Sequence, residues 1–255
     1  EGRPLSEAQA RAEVERIQAS MASTLGANRF PNWIGPQRFG SGRPVTPIVG
    51  RHVVLGQWEE AVMTYLSMEG PNEKAEAAEV RAKIRDSGVQ EELLEELPRW
   101  MGFERRMIEH LLNNEGDHVG AFQKLPTNLQ LMTVHALQSI VFNKSLQRRL
   151  DAGLPLATPV SGDIVGRVDE KGQLDVKSCV TVEERTLARI SRNCDLGRLM
   201  TTGPLPGSEI STSSGPPGEL EQATIDEEEL TDVSWEVEAL PRLSSKGTRR
   251  GLVAE

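Results

Sequence analysis

The feature that most constrains the fold is a run of glycines and prolines between residues 25 and 50, where nine of 26 positions are Gly or Pro. Proline lacks a backbone N–H and glycine disfavours helix, so this segment is predicted to be a shaped loop between helical regions. On its N-terminal side, Ser6 and Gln9 match a capping box and predict a helix over about residues 7–21. On its C-terminal side, helical periodicity extends from about residue 54 to 150.

The most apolar stretch predicts a central buried helix over about residues 127–150, with His135 packed in the core. Polar residues interrupt this stretch, so it has fewer consecutive apolar residues than the roughly 20 that are needed to cross a bilayer. Beyond it, β-branched runs at 163–168 and 174–180 flank a turn at Gly172 and predict a hairpin. A helix is predicted over about 182–195, an irregular loop over 203–218 and an acidic helix over about 219–230.

The charge is unevenly distributed. The net charge is −9, yet residues 25–58 contain four arginines and no acidic residue, whereas residues 199–241 contain ten carboxylates and no Lys or Arg. This division favours one phosphate-attracting face. The alternative is that these arginines pair with carboxylates distant in sequence, which is the ordinary fate of Arg. For a second basic row, formed by Arg185, Arg189 and Arg192, a solvated stripe is favoured over a phosphate-facing one.

The composition argues against several classes of site. Cys179 and Cys194 are too far apart for a C-x-x-C pair, and no His cluster completes a zinc site, so no metal is expected. The first residues contain no apolar signal-peptide core and no membrane span is predicted. These observations together predict a cytoplasmic protein.

The strongest constellation lies inside the Gly- and Pro-rich loop. Three of the ten aromatic residues fall within ten positions, interleaved with Arg and amide side chains: Arg29, Phe30, Asn32, Trp33, Gln37, Arg38 and Phe39. Aromatic rings can stack on a base, amides can address its edge and guanidinium groups can meet phosphate, which suits a single-stranded or flipped nucleotide. A core-packed aromatic cluster beside ion-paired arginines is an equally weighted alternative.

The segment FPNWIGPQRFGSGRPVT closely resembles the N-(Y/F)-F-G-x-Q-R-F-G signature of the TruD family of tRNA pseudouridine synthases. Further similarity follows in family order, in VGRHVVLGQWEEAVMTYL, LQSIVFNKSLQRRL, GLPLATPVSGDIV, MTTGPLPG and SSKGTRR. The resemblance implies an α+β fold, in which a mainly helical insertion domain with a small β element is attached to remnants of a pseudouridine synthase catalytic sheet domain. The implied divisions are residues 1–50 for the end of a catalytic segment, 51–240 for the insertion domain and 241–255 for the return toward the catalytic domain.

The resemblance also implies an RNA uridine isomerase that needs no metal or organic cofactor. Its substrate would be tRNA, typically at uridine 13, with other structured RNA left open and no obligate protein partner evident. The residues that match the family's substrate-binding positions are Asn32, Trp33, Gln37, Arg38 and Phe39, together with Arg249 and Arg250 in the return segment. Ile34 stands where the family usually has an aromatic residue.

One family element has no counterpart. The nucleophilic Asp of the family lies in a G-x-K-D-(R/K) type motif upstream of the signature, and residues 1–31 contain no Asp. Asp163 and Asp195 are better explained as turn and helix-end residues. We therefore expect this chain to be an internal portion without a catalytic residue of its own, and to be inactive alone. The alternative function is a non-catalytic RNA-binding or helical adaptor module of the same ancestry.

Overall fold

A computed structural model describes residues 6–25, 29–40, 42–71 and 73–254. In these ranges the helices are α1 Glu7–Leu25, α2 Thr46–Val54, α3 Trp58–Ser67, α4 Ala75–Ser87, α5 Leu93–Glu96, α6 Gly102–Asn113, α7 His118–Phe122, α8 Thr127–Asp151, α9 Glu184–Asp195 and α10 Gly215–Glu227. The strands are β1 Phe30–Pro31, β2 Ile164–Val168, β3 Leu174–Thr181, β4 Leu199–Leu205, β5 Thr248–Gly251 and β6 Val253–Ala254. Short 3₁₀ turns span Pro36–Arg38 and Pro241–Leu243. The fold is α+β, as predicted.

Helix α8 joins the two parts of the molecule. Its 25 residues give it a length of roughly 37 Å. Val134, Leu137 and Val141 belong to the large core formed with α2–α7 and residues 230–243. Phe142 and Leu146 pack instead with residues near the sheets, including Leu252 and Val253. The apolar surface nearly all round this helix is therefore explained by two cores that share it.

The sheet next to the C-terminal half of α8 has four antiparallel strands in the order β3-β2-β4-β5. A separate two-stranded sheet pairs β1 with β6, placing Phe30 opposite Ala254. Leu252 links the two sheets, since its N–H donates to the carbonyl of Thr201 on β4 at 2.9 Å. The N-terminal loop is thus fixed against the last strands of the chain.

Several local predictions are confirmed. The Ser6 and Gln9 side chains each accept a hydrogen bond from the other residue's backbone N–H, at 3.3 and 3.0 Å. The predicted hairpin is β2–β3, with Gly172 at a φ of +75° in the turn. Of the helices that the structure describes, none combines the length and apolar character needed to cross a membrane.

Two local predictions are wrong. Residues 203–218 are not one irregular loop, because β4 extends to Leu205 and α10 begins at Gly215. The proline content misled the prediction, since Pro216 occupies the first turn of α10, where a missing N–H costs little. His135 is exposed rather than in the core, because it occupies the solvent side of α8.

The acidic residues near the end of α10 are paired with sequence-distant cations. Arg51 bonds to Glu229, while Lys144 and Arg148 both bond to Glu227. For Arg51 the ion-pair alternative is therefore correct. The same alternative is correct for Arg43, whose Nη2 lies 3.7 Å from Oε1 of Glu104.

Candidate nucleoside site

The loop that carries the sequence signature is held at two points. Asn143 of α8 accepts from the N–H of Ile34 and donates to its carbonyl, both at 2.9 Å. Asn32 is held by β5 and β6, since its N–H donates to the Leu252 carbonyl and its Nδ2 donates to the Gly251 carbonyl, both at 2.9 Å. Two amide side chains therefore fix the path of a loop that has little regular structure of its own.

The side chain of Ile34 has a structural role. Its side chain packs against the second core, beside Phe142 and Leu146. Both the backbone and the side chain of Ile34 are therefore held in place.

A groove of about 790 Å³ lies on the curved four-stranded sheet, where β3 and β5 approach one another. Its lining residues come from the β2–β3 turn, from Asn32, from residues 248–251, 253 and 254, and from Met200 of β4. This volume falls in the range typical of small-molecule sites. It is large enough for a nucleoside.

Arg250 is the guanidinium that the groove and the signature loop share. Its Nη2 donates to Oδ1 of Asn32 at 2.6 Å, and its guanidinium carbon lies 5.6 Å from the centre of the Phe142 ring. Asn32 consequently uses both ends of its amide, one to orient Arg250 and the other to hold the backbone of Gly251. Asn32 and Arg250 therefore lie together at the groove, whereas Arg38 and Phe39 are not among the residues that line it.

Arg249 borders the same groove, but its side chain makes its contacts in the protein interior. Only 3% of that side chain is exposed, and its Nη2 lies 2.6 Å from Oε1 of Glu221 on α10. The guanidinium also donates to Thr202 and to the carbonyl of Ser211, while Ser213 donates to the Glu221 carboxylate. Adjacent residues of a strand face opposite sides, so Arg249 and Arg250 have different partners. The prediction that Arg249 contacts substrate is therefore replaced by a structural role.

The other signature residues do not line the groove. Trp33 is 41% exposed and Phe30 is 45% exposed, which excludes the core-packed alternative for these two rings. Gln37 and Arg38 are exposed on the 3₁₀ turn, and Phe39 is half-buried where that turn ends. Four predicted contacts, Trp33, Gln37, Arg38 and Phe39, thus lie outside the concave surface.

The lining offers little acid–base chemistry. Asp169 is the single carboxylate among the described residues of the groove, and its Oδ1 accepts the N–H groups of Lys171 and Gln173 to shape the hairpin turn. Burial raises the pKa of Cys194 to about 11, so this thiol is neutral at pH 7 and a poor nucleophile. Asp163 is buried in an ion pair with Arg149, at 2.6 Å, and Asp195 is exposed at the end of α9. The lining therefore supports binding more than bond cleavage.

The groove is nevertheless suited to an anionic ligand. Arg29, Lys171 and Arg250 border it against the single acid Asp169. Among the described residues, no group of three or more His, Cys, Asp or Glu side chains could hold a metal ion. Positive charge around a concave surface raises the local concentration of a negatively charged ligand.

Two parts of this arrangement were missed at the sequence level. Asn143, which clamps the loop, lies in a helix whose polar residues were read only as interruptions. The β2–β3 turn was predicted, but its position at the same groove as Asn32 depends on the tertiary structure. The basic row on α9 is exposed as expected, and Arg185 pairs with Glu183.

The fold and the groove thus define an α+β protein with a basic groove that is large enough for a nucleoside. The family model for tRNA pseudouridine synthase D (TruD) matches residues 5–255. Relatives described as probable tRNA pseudouridine synthase D include one from Methanosarcina mazei, 40% identical over 231 residues that cover 91% of this chain and 53% of the relative. Another, from Methanopyrus kandleri, is 35% identical over 240 residues, covering 94% of this chain and 52% of the relative.

A crystal structure of the TruD protein from Methanosarcina mazei superposes with a TM-score of 0.90 and 37% identity, covering 97% of this chain and 56% of that one. The chain belongs to the tRNA pseudouridine synthase D family. It spans about half the length of the curated relatives it matches.

Proposed function

We propose that this chain is part of a tRNA pseudouridine synthase that converts uridine to pseudouridine at position 13 of tRNA. In this reaction the bond between N1 of the base and the ribose breaks, the base rotates, and C5 bonds to the ribose and loses its proton. The observation that carries the proposal is the Asn32–Arg250 hydrogen bond on the wall of a nucleoside-sized groove, in a chain of this family.

Asn32 and Arg250 bind and orient the uridine in this proposal. Arg250 has one Nη2 bond to Asn32, and a guanidinium carries further N–H donors that suit a carbonyl or phosphate oxygen. Because Asn32 also bonds to Gly251, it restricts the rotamers of Arg250 before RNA arrives. Trp33, Gln37 and Phe39 contact RNA outside the nucleoside pocket, since they do not line the groove.

The nucleophilic Asp is supplied by a segment outside this chain, and the chain alone is inactive. Two observations support this part of the proposal: the only described carboxylate of the groove is bonded to turn N–H groups, and the chain spans about half the length of its relatives. Residues 1–50 and 241–255 then belong to the catalytic domain. Residues 51–240 form the insertion domain that faces the RNA.

The test combines RNA binding with tritium release. The chain is expected to bind a tRNA transcript but to release no tritium from tRNA labelled at C5 of uridine. A chimera in which the chain replaces the matching half of the Methanosarcina mazei relative is expected to release tritium from a transcript with U13 but not from one with C13. Within that chimera, Asn32→Ala should lower the release rate at least tenfold.

Several results would contradict the proposal. Robust tritium release by the chain alone would place the nucleophile inside it. Equal release by chimeras with and without Asn32→Ala would remove Asn32 from the uridine pocket. Lys83→Met provides the matched surface control, because Lys83 pairs with Glu96 on exposed helices away from the groove.

A further inference from the structure

The β2–β3 hairpin supplies more of the groove lining than any other part of the chain. About a third of the lining residues come from it, all between residues 168 and 176. Strand β3 forms one edge of the four-stranded sheet, and the turn connects it to β2. Asn32 and Arg250 hold the uridine in the proposed function, so the hairpin is the part of the groove to which no ligand contact has been assigned.

The backbone of the turn is held by Asp169. Its Oδ1 accepts the N–H groups of Lys171 and Gln173, at 2.9 and 2.8 Å. Two backbone bonds close the same turn, because the N–H of Asp169 donates to the Gln173 carbonyl at 2.9 Å and the N–H of Gly172 donates to the Asp169 carbonyl at 3.0 Å. The backbone position of Lys171 is therefore fixed before any ligand binds, although its side chain is exposed.

The arm of the hairpin is shaped by an irregularity in β2. The register with β3 shifts between Val165 and Arg167, and such a bulge increases the local twist of a strand. Gly166 lies at the shift, where a Cβ would be only 2.4 Å from Cδ1 of Leu174. The glycine thus allows Leu174, which lines the groove, to pack closely on β2.

Two side chains of the hairpin lack the contacts that a purely structural role would give them. Val176 lines the groove and is 42% exposed. In the ranges that the structure describes, Lys171 has no ion pair with a carboxylate, whereas Lys83, Lys144 and Lys246 each have one. The hairpin therefore presents an apolar surface and a cation to the cavity that Asn32 and Arg250 also line.

The covalent structure of RNA supplies a partner for both groups. A uridine within a strand carries a phosphodiester at each end of its ribose, so it cannot enter the groove without bringing phosphate oxygens and a neighbouring nucleotide to the border. A lysine ammonium binds phosphate as a compact point charge. An exposed apolar side chain gains when a ribose or base removes it from water.

We propose that the β2–β3 hairpin binds the RNA strand beside the target uridine, with Lys171 on the adjoining phosphodiester and Val176 against the adjoining nucleotide. Asp169 is a positioning residue, because it acts on RNA only through the backbone of Lys171 and Gln173. The inference rests on the proposed function, since it takes a uridine within RNA as the ligand of the groove.

The first test is the salt dependence of tRNA binding by the full chain. Anisotropy of a labelled tRNA transcript between 50 and 200 mM NaCl gives the slope of log K against log salt. Loss of one phosphate contact makes this slope shallower by about 0.7–0.9, so wild type should lose about threefold more affinity than Lys171→Gln over this range. Lys177→Gln is the matched control and should keep the wild-type slope, because Lys177 is exposed on the same hairpin but does not line the groove.

The second test compares two substitutions of Asp169 that remove the same charge. Asparagine retains a side-chain oxygen that can accept the N–H groups of the turn, whereas alanine does not. Asp169→Asn should therefore bind tRNA at least as tightly as wild type, and Asp169→Ala should bind about threefold more weakly. If Asp169 acted only through its charge, the two variants would bind alike. Circular dichroism verifies that each variant of these exposed residues retains the fold.

The third test separates binding from chemistry in the chimera with the Methanosarcina mazei relative. Lys171→Gln should raise KM for tRNA by about threefold and leave kcat within about twofold of the parent, because the contact lies outside the reacting nucleoside. Asn32→Ala lowers the release rate itself, so the two substitutions have different kinetic effects.

The outcomes distinguish this inference from the proposed function. Wild-type tRNA binding with the same slope for Lys171→Gln and Lys177→Gln refutes the hairpin contact and leaves the proposed function intact. Equal binding by Asp169→Ala and Asp169→Asn refutes the positioning role. Absence of tRNA binding by the wild-type chain refutes RNA as the ligand of the hairpin. A chimera that releases no tritium contradicts the proposed function, while the slopes measured on the chain still decide whether the hairpin binds RNA.

Discussion

Replacing Arg249 should separate fold stability from RNA binding. Arg249→Met removes the guanidinium that pairs with Glu221, whose side chain is only 8% exposed. The carboxylate would remain buried and keep only its bonds from Ser213. Breaking a buried pair from one side costs about 3–5 kcal/mol.

The effect on thermal unfolding follows from chain size. For a chain of 255 residues each kcal/mol corresponds to a Tm change of roughly 2–4 °C, so Arg249→Met should lower Tm by about 6–20 °C. The double variant with Glu221→Leu should recover part of this loss, because the unpaired carboxylate is gone. Lys83→Met, which breaks an exposed pair with Glu96, should cost about 0–1 kcal/mol.

Differential scanning fluorimetry and tRNA binding by anisotropy provide the two measurements. Below the lowered Tm, the folded Arg249→Met variant should bind tRNA with a Kd within about twofold of wild type. A variant with wild-type Tm and weakened tRNA binding would refute the structural assignment of Arg249. It would restore the substrate-contact role that the sequence motif suggests.

Three further predictions address the loop, the helix interface and the tyrosine. Asn143→Ala removes both hydrogen bonds to Ile34 and should lower the free energy of unfolding by about 1–3 kcal/mol. It should also speed the amide exchange of residues 33–38, which mass spectrometry would detect. Unchanged exchange would contradict the clamp. Gly50→Ala should lower the free energy of unfolding in urea by about 1–3 kcal/mol, because a Cβ there would lie 2.0 Å from a carbonyl oxygen of α8. Gly102→Ala should be nearly neutral, because a Cβ at that position meets open space. Equal effects of the two substitutions would refute this packing. Burial raises the pKa of Tyr65, the only tyrosine of the chain, to about 12, so phenolate absorbance should titrate near 12 in the folded protein and near 10 in denaturant. The raised folded pKa gives stability that is present below pH 10 and lost as pH rises toward 12, and a native midpoint near 10 would contradict the burial.

The elements that sequence reasoning located best are those with local causes. Interactions within a few residues along the chain are enough to define the capping box at Ser6, the apolar periodicity of α8 and the turn at Gly172. The error over residues 203–218 arose because β4 is stabilised by pairing with β2 and β5, which no local pattern reveals.

The candidate site was predictable in part. The signature indicated Asn32 and the SSKGTRR segment indicated Arg250, and the hydrogen bond between these two residues spans 218 positions of sequence. The contrasting roles of Arg249 and Arg250 were not predictable, because they depend on which side of β5 each residue faces. His135 was misplaced because an apolar helix was assumed to be buried on every side, whereas the structure exposes this position.

The alternation along β5 determines what a register shift of one residue would do to the groove. An insertion or deletion before position 249 that kept the strand paired would turn each side chain to the opposite surface. The guanidinium now bonded to Glu221 would then enter the ligand cavity, and the one that meets Asn32 would face the interior carboxylate. Since both are arginines, such a shifted strand would keep a cation on each side. The two adjacent arginines would therefore keep a positive charge on both surfaces after a one-residue shift in strand register, whereas a single arginine would not.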